Sequence, residues 1–172
     1  MKKEILIKEL CDLKSTNNFR KLKECDNSLI NLSSNDYLGI ANDKDLLNEF
    51  YSKYTPKLSS SSSRLIDGSY SEVMQLEKEL ENIYKNSAIL FNSGFDANSS
   101  IIETFYNKKS LILTDRLNHA SIYDGILNSE AVFMRYKHLD MENLEKLLIK
   151  YRDSYDDILV VSETVYSMDG DM

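Results

Sequence analysis

The stretch Leu-Ile-Leu-Thr-Asp-Arg-Leu-Asn-His-Ala-Ser, residues 111–121, indicates the fold class. It begins as a continuous apolar run, turns polar, and is followed by Ile122 and Ile126 at helical spacing. Apolar runs of similar length lie at 88–91, 131–134 and 158–161, with helical patterns between them. Apolar runs that alternate with helices are typical of a parallel sheet covered on both faces. The sequence therefore predicts an α/β fold with four parallel strands.

Three helices are predicted before the first apolar run. Leucine spacing indicates one over residues 1–14, and a second covers 45–54 before the only proline. The third, at 69–83, follows a Ser-x-x-Glu pattern typical of a capping box. The apolar patch 29–32 is a candidate short strand. The serine run 59–63 has the composition of a flexible linker, but its short length is equally compatible with a tight loop.

Composition excludes several classes of protein. The chain has 172 residues, 42% hydrophobic and 28% charged, which predicts one globular domain or part of a larger one. No apolar stretch is long enough for a membrane span or a signal peptide, so we expect a cytoplasmic protein. The net charge of −7 and the lack of basic runs argue against nucleic-acid binding. Cys11 and Cys25 have no neighbours at metal-ligand spacing and are predicted to be ordinary thiols.

Polar residues follow each apolar run, and both histidines of the chain are among them. Ligands of open α/β sheets bind at the carboxyl ends of the strands. The sequence therefore predicts a polar-ligand site at that edge, formed by the segments Asn92–Asn98, Asp115–Ser121, Arg135–Asp140 and Ser162–Gly170.

Each candidate in these segments also has a simpler interpretation. Ser93-Gly94 could be an ordinary helix N-cap or could direct free N–H groups at an anion. His119 could bond a carbonyl or contact a ligand, whereas His138, just before a predicted N-cap, is interpreted as structural. Glu163 and Asp169 could act as general acid and base or could serve solubility.

Two common site types lack motif support. The spacings of a P-loop and of a dinucleotide-binding turn are absent from the sequence. A Ser-His-Asp triad could be composed from these residues, but no Gly-x-Ser-x-Gly elbow accompanies it.

Six motifs occur in an order and approximate spacing that resemble one family: Ser34–Gly39, Ser63–Leu65 with Gly68, Leu76–Glu77, Phe91–Asn98, Asp115–Ser121 and Ser162–Asp171. Together they resemble the α-oxoamine synthases, which are pyridoxal-phosphate (PLP) enzymes. The resemblance extends from about Asn31 to the last residue given.

The resemblance implies a fold and a reaction. Residues 1–55 would form an N-terminal arm and small-domain segment, and 56–172 the first part of a fold-type I PLP-dependent transferase large domain. Such enzymes are cytoplasmic homodimers that join an amino acid to an acyl-CoA, with loss of carbon dioxide, to give an α-oxoamine. PLP serves as the electron sink of this reaction. No nucleic-acid or membrane partner is implied.

The resemblance also assigns roles in cofactor binding. Gly94 and Phe95 would hold the cofactor phosphate region, in agreement with an anion site at a helix N-terminus. His119 would stack on the pyridine ring as the catalytic residue. Ser167 would hydrogen-bond the ring hydroxyl oxygen, with Glu163 supporting that side.

Substrate contacts are predicted at three positions. Arg20 is the candidate for the substrate carboxylate, and Asn35 and His119 are further candidate substrate contacts. No metal is expected.

The sequence departs from the family pattern in two places. The serine run 59–63 replaces a glycine-rich stretch, which puts the backbone path there in question. The family's Schiff-base lysine lies beyond the Ser-Met-Asp-Gly-Asp motif, whereas the last lysine here is Lys150. We therefore expect an N-terminal portion, inactive and poorly folded by itself, from a fragment or a truncated gene. The resemblance places run 88–91 at the far side of the sheet from the other three. The alternative is a non-catalytic chain that acts as an interaction partner.

Overall fold

The computed structural model describes residues 2–22, 24 and 28–172, which divide into two units, Met1–Leu58 and Ser59–Met172. The boundary lies three residues after the predicted one between 55 and 56. Cys25 lies outside the described residues, and Cys11 is an exposed free thiol. No helix in the described part of the chain is long and apolar enough to cross a membrane.

The described residues of the first unit form two α-helices, both as predicted. Helix α1 covers Lys2–Ser15, and α2 covers Lys44–Lys53 after a short 3₁₀ turn at Ile40–Asn42. Asp43 caps α2 by accepting hydrogen bonds from the first-turn N–H groups. The candidate strand at 29–32 is not formed: this patch pairs with no strand in the described part of the chain, and Leu32 is 93% exposed.

The second unit alternates helices and strands along the chain. Its elements are α3 (Ser71–Tyr84), α4 (Gly94–Phe105), β1 (Ser110–Asp115), α5 (Ala120–Asn128), β2 (Val132–Tyr136), α6 (Met141–Tyr151) and β3 (Asp157–Val161). The strands form one parallel sheet in the order β2-β1-β3. The central strand is β1, and all six of its residues are buried. The predicted α/β class is confirmed.

The predicted strand at 88–91 does not join this sheet. At one edge of this run, side chains bond both backbone groups of Leu90, where a neighbouring strand would otherwise bond them. Its N–H donates to Glu77 Oε1 at 2.8 Å, and its carbonyl accepts from Arg64 Nη1 at 3.1 Å. Arg64 and Glu77 form a bidentate pair at 2.7 and 2.9 Å, which lowers the pKa of Glu77. The family resemblance places this run at the far side of the sheet from the other three apolar runs. The lack of pairing with β1–β3 agrees with that placement.

Helices cover both faces of the sheet. On one face Ile112 packs with Ile102, Ile122 and Ile126 from α4 and α5. On the other, Leu111 and Leu113 pack with Tyr136 and with half-buried residues of α6. This two-layer burial accounts for the continuous apolar sequence of β1.

Ile112 should be a large contributor to stability. We expect Ile112→Ala to lower the free energy of unfolding of the second unit by about 2–5 kcal/mol, because the side chain is fully buried. Ile149→Ala, at a residue that is 66% exposed, is the matched control and should change it by less than about 1 kcal/mol. Urea unfolding measures both, and equal losses would contradict this description of the core.

The capping box predicted for α3 is not formed. The helix begins at Ser71 with Tyr70 at the N-cap position. Ser69 Oγ instead donates to the Arg64 carbonyl and accepts from Arg64 Nε, both at 3.2 Å. The serine is therefore engaged by the Arg64 side chain that also holds Glu77.

The serine run is a hydrogen-bonded loop, which supports the second of its two interpretations. Ser61 has the left-handed φ of 63°, and its N–H donates to Ser59 Oγ. The Ser63 carbonyl accepts from three N–H groups, those of residues 66–68. A Cβ at Gly68 would lie 2.2 Å from the Ser62 carbonyl oxygen, so the loop closes only on glycine.

Candidate active site

The loops after all three strands meet at the carboxyl edge of the sheet. Backbone and side-chain hydrogen bonds join residues 115–119, 137–139 and 161–171. Helices α4 and α5 begin at the same edge, where their side chains meet. The predicted convergence of polar segments at this edge is thus observed in the second unit.

His119 is the N-cap of α5 and is tied to the loop after β3. Its Nδ1 accepts from the Ser121 N–H at 3.2 Å and lies 2.7 Å from Ser121 Oγ. Its backbone N–H donates to Glu163 Oε1. With Nδ1 as acceptor, the neutral ring carries its proton on Nε2, and the described residues offer that nitrogen no hydrogen-bond partner. The bond to a carbonyl considered above is not formed.

The start of α4 faces His119. Ser93 caps the helix by accepting from the Asp96 N–H at 3.1 Å, so the N-cap interpretation is confirmed. The N–H groups of Gly94 and Phe95 precede the first intrahelical donors. Phe95 places its ring edge-on to the His119 ring, with centroids 6.4 Å apart. A Cβ at Gly94 would meet no atom within 4 Å, so the space beside the helix start is open.

A groove of about 320 Å³ runs along β3 below this edge. Its lining combines apolar side chains with the polar groups of Asn98, Ser162 and Glu163. Asn98 Nδ2 donates to Ser121 Oγ at 3.0 Å and thus connects the groove wall with the His119 cap. A larger groove of about 420 Å³ lies within the first unit, lined by residues 40–50, and contains none of the predicted site residues.

Asn118 is a site residue that the sequence reasoning did not single out. It is 6% exposed, and its Nδ2 donates to Thr114 Oγ1 at 2.8 Å and to the Val161 carbonyl at 3.0 Å. It therefore links the ends of β1 and β3 just before His119. Its buried Oδ1 has no hydrogen-bond partner in the described part of the chain. Its position between Asp115 and His119 in the motif was the only sequence indication.

Asp115 is a fully buried carboxylate at the end of β1. It accepts from the N–H groups of Leu117 at 2.8 Å and Leu139 at 3.0 Å, and from His138 Nδ1 at 2.9 Å. Burial acts to raise its pKa, but these three hydrogen bonds outweigh burial and lower it. Asp115 is therefore ionised in the folded unit at neutral pH.

His138 bridges two carboxylates. Its Nδ1 bonds Asp115 Oδ1 and its Nε2 bonds Asp171 Oδ2, each at 2.9 Å. Both hydrogen bonds raise the pKa of the imidazole, which favours its charged form. The Tyr166 ring packs edge-on against it at 4.5 Å. The structural interpretation of His138 is supported, and Asp140 caps α6 as predicted.

His138, Asp169 and Asp171 bring possible metal-ligand atoms within 4.8 Å of one another. Both imidazole nitrogens already bond carboxylates, however, and a protonated imidazole has no lone pair for a metal. The expectation of no metal stays a prediction.

The remaining candidates divide between the two units. Glu163 is half-buried, and Ser167 is exposed in the same loop. The Ser-His-Asp arrangement is not assembled, because the buried Asp115 bonds His138 and not His119. Arg20 and Asn35 are exposed residues of the first unit, and their substrate roles stay predictions.

Sequence comparison identifies a family. The sequence pattern of the family described as aminotransferase class I and II matches residues 27–172. A Pasteurella multocida protein with the provisional name 8-amino-7-oxononanoate synthase is 42% identical over 95% of this chain. A Glaesserella parasuis protein with the same provisional name is 45% identical over 86%. The chain spans 46% and 40% of the lengths of these relatives.

Solved structures give a consistent result. A serine palmitoyltransferase variant from S. paucimobilis with bound PLP-myriocin aldimine matches 97% of this chain and 47% of its own, with 29% identity and a TM-score of 0.76. An 8-amino-7-oxononanoate synthase from Francisella tularensis matches 86% of this chain and 40% of its own, with 31% identity and a TM-score of 0.61. The predicted resemblance to PLP-dependent enzymes of fold type I is confirmed for the residues matched.

Proposed function

The chain belongs to the aminotransferase class I and II family, and on that basis we propose that it is the first part of an α-oxoamine synthase, specifically an 8-amino-7-oxononanoate synthase of biotin biosynthesis. The observation that carries this proposal is the hydrogen bond from the His119 backbone to Glu163, beside the open start of α4. It joins three motifs of the resemblance in one site.

The residues at this edge fit pyridoxal phosphate. Its phosphate requires N–H donors, which Gly94 and Phe95 supply at a helix start with open space beside it. Its flat ring requires a stacking partner, and the His119 ring is exposed and oriented by its cap bonds. When bound, the cofactor supplies the electron sink that stabilises negative charge on the amino acid's α-carbon.

The side chains of this chain hold and orient the reactants. Ser121 fixes the His119 ring through Nδ1, which leaves the Nε2 proton for a substrate oxygen. Glu163 fixes the backbone of the same residue from the loop after β3. Ser167, in that loop, would bond the ring hydroxyl oxygen of the cofactor. Arg20 and Asn35 are further proposed substrate contacts.

The name of the relatives' product indicates the substrates. 8-Amino-7-oxononanoate has its amino group next to its ketone, so a new carbon–carbon bond joins the α-carbon of alanine to an acyl carbonyl carbon. Carbon dioxide and the thiol of coenzyme A leave. The acyl donor is then a dicarboxylic acyl-CoA whose carbonyl becomes the ketone.

A second candidate is serine palmitoyltransferase, because the solved structure that covers 97% of this chain carries that name. Glycine C-acetyltransferase and 5-aminolevulinate synthase are further family alternatives. All four would use the same edge of the sheet and differ in the amino acid and the acyl chain.

The test uses a hybrid protein, in which residues 1–172 replace the matching segment of the Pasteurella multocida relative. We expect the hybrid protein with PLP to release coenzyme A from the dicarboxylic acyl-CoA in the presence of alanine. It should act on serine with palmitoyl-CoA at least about 100-fold less well in kcat/KM. The reverse preference would favour the second candidate, and no turnover with either pair would reject the synthase proposal.

Residues 1–172 alone should not catalyse the reaction, because the resemblance places the Schiff-base lysine after Asp171. Incubation with PLP, borohydride reduction and mass spectrometry should find no lysine labelled stoichiometrically. A single fully labelled lysine would contradict this. We also propose that the protein is cytoplasmic and forms a homodimer. Sedimentation of the hybrid protein would detect the dimer.

A further inference from the structure

We infer that Asp115, His138 and Asp171 form a positioning relay, in which His138 holds the loop 162–171 against the carboxyl edge of the sheet. As a device for positioning the cofactor site, the relay rests on the function proposed above. As a hydrogen-bonded clamp, it can be tested without any cofactor.

The relay ties together the loops after all three strands. Asp115 ends β1 and accepts from Leu117 in its own loop and from Leu139 in the loop after β2. His138 also follows β2, and it hydrogen-bonds both Asp115 and Asp171, which lies in the loop after β3. The Asp171 carbonyl then accepts from the Tyr166 N–H, which closes the loop on itself. The loop so held is the one that carries Glu163 to His119.

The backbone at the centre of the relay is strained. Leu139 has a left-handed φ of 51°, a conformation that is unfavourable for any residue with a Cβ. Its N–H in that conformation reaches Asp115 Oδ2. The bond to the buried carboxylate holds this turn, and the turn directs His138 between its two partners.

The charge balance of the relay depends on the imidazole proton. The groups that face His138 are Asp115 from β1, Asp169 and Asp171 from the loop, and the ring of Tyr166. Asp171 Oδ1 is buried without a hydrogen-bond partner among the described residues. A neutral imidazole has one N–H and can donate to only one of its two carboxylate partners.

The stability that the relay contributes therefore has a defined pH window. His138 has a raised pKa when folded, so its contribution is complete below the ordinary histidine value of about 6.5 and is lost as the pH rises through the raised pKa. Asp115 has a lowered pKa, so its contribution is present above about 3.9 and is lost as the pH falls through the lowered pKa. Alkaline pH should release the loop.

Amide hydrogen exchange of the hybrid protein without PLP tests the relay. The reporters are the loop amides of Tyr166 and Gly170 and the amide of His119 that donates to Glu163. In His138→Gln we expect their protection factors to fall about tenfold or more at pH ~6, while the β1 amides of Ile112 and Leu113 keep theirs. The same loss should develop in the unsubstituted hybrid protein as the pH rises through the raised pKa of His138.

Asp169→Asn is the matched control. It removes a carboxylate from the same loop without breaking either bond of His138, so its protection factors should stay within about twofold of the unsubstituted hybrid protein. The relay would be overturned if the protection factors of the loop amides changed neither in His138→Gln nor as the pH is raised. If His138→Gln unfolds the sheet, Asp171→Ala is the deciding variant, because it removes the acceptor of the His138 Nε2 bond. Unchanged protection factors of the loop amides in Asp171→Ala would overturn the relay. An intact relay in a hybrid protein that fails to bind PLP would reject the proposed function alone.

Discussion

Replacing His119 with asparagine should lower the turnover of the hybrid protein by about 10- to 1000-fold, the range expected when a substrate-positioning group is lost. Asparagine removes the imidazole ring and its Nε2 proton. It retains a side-chain acceptor for the N–H groups at the start of α5, where His119 Nδ1 now accepts. The helix cap is thus preserved while the proposed stacking surface is lost.

His119→Ala provides the comparison that separates the two roles. Alanine removes the cap as well, so it should lower the free energy of unfolding by a further ~1 kcal/mol. Steady-state rates and urea unfolding of both variants measure the two effects. Full turnover per folded molecule in His119→Asn would show that the ring serves the helix cap and not the reaction.

Replacing Gly94 with valine should weaken the affinity of the hybrid protein for PLP by about tenfold or more, which corresponds to ~1.4 kcal/mol of binding free energy. The φ of Gly94 lies outside the left-handed region, and its Cβ position is open. Valine should therefore fold without strain, and its branched side chain would occupy the space through which the phosphate approaches the N–H groups of α4.

A series at this position makes the result specific. Gly94→Ala adds one methyl group in the same direction and should have a smaller effect than Gly94→Val. PLP titration followed by absorbance measures both affinities, and circular dichroism checks that α4 is retained. Equal affinity in Gly94→Val and the unsubstituted hybrid protein would remove α4 from the cofactor site.

Local chemistry explains what the sequence predicted correctly. Ser93 and Asp140 cap helices within their own turns, and the buried run 111–114 follows from residue type alone. Ser69 shows the opposite case, because its hydroxyl is engaged by the Arg64 side chain instead of by α3. A Ser-x-x-Glu pattern contains no information about a distant side chain that hydrogen-bonds the serine.

Contacts between distant segments account for the remaining differences. The groups that lie beside Leu90 are the side chains of Arg64 and Glu77, which are 26 and 13 residues away in the sequence, so the run 88–91 could not indicate them. Glu163 follows His119 by 44 residues in the chain, so its bond to that backbone could be expected only from the topology of the sheet. Likewise, the partners of His138 are 23 and 33 residues away.

The left-handed serine at position 61 also affects the unfolded chain. A non-glycine residue in this conformation costs the folded state about 1–2 kcal/mol. Serine also has fewer backbone conformations than glycine in the unfolded chain. This difference favours the folded state by about 0.4–1 kcal/mol relative to glycine. The bond from its N–H to Ser59 Oγ offsets part of the remainder. Serine can therefore replace glycine here at little net loss of stability, and such a position is open to neutral drift.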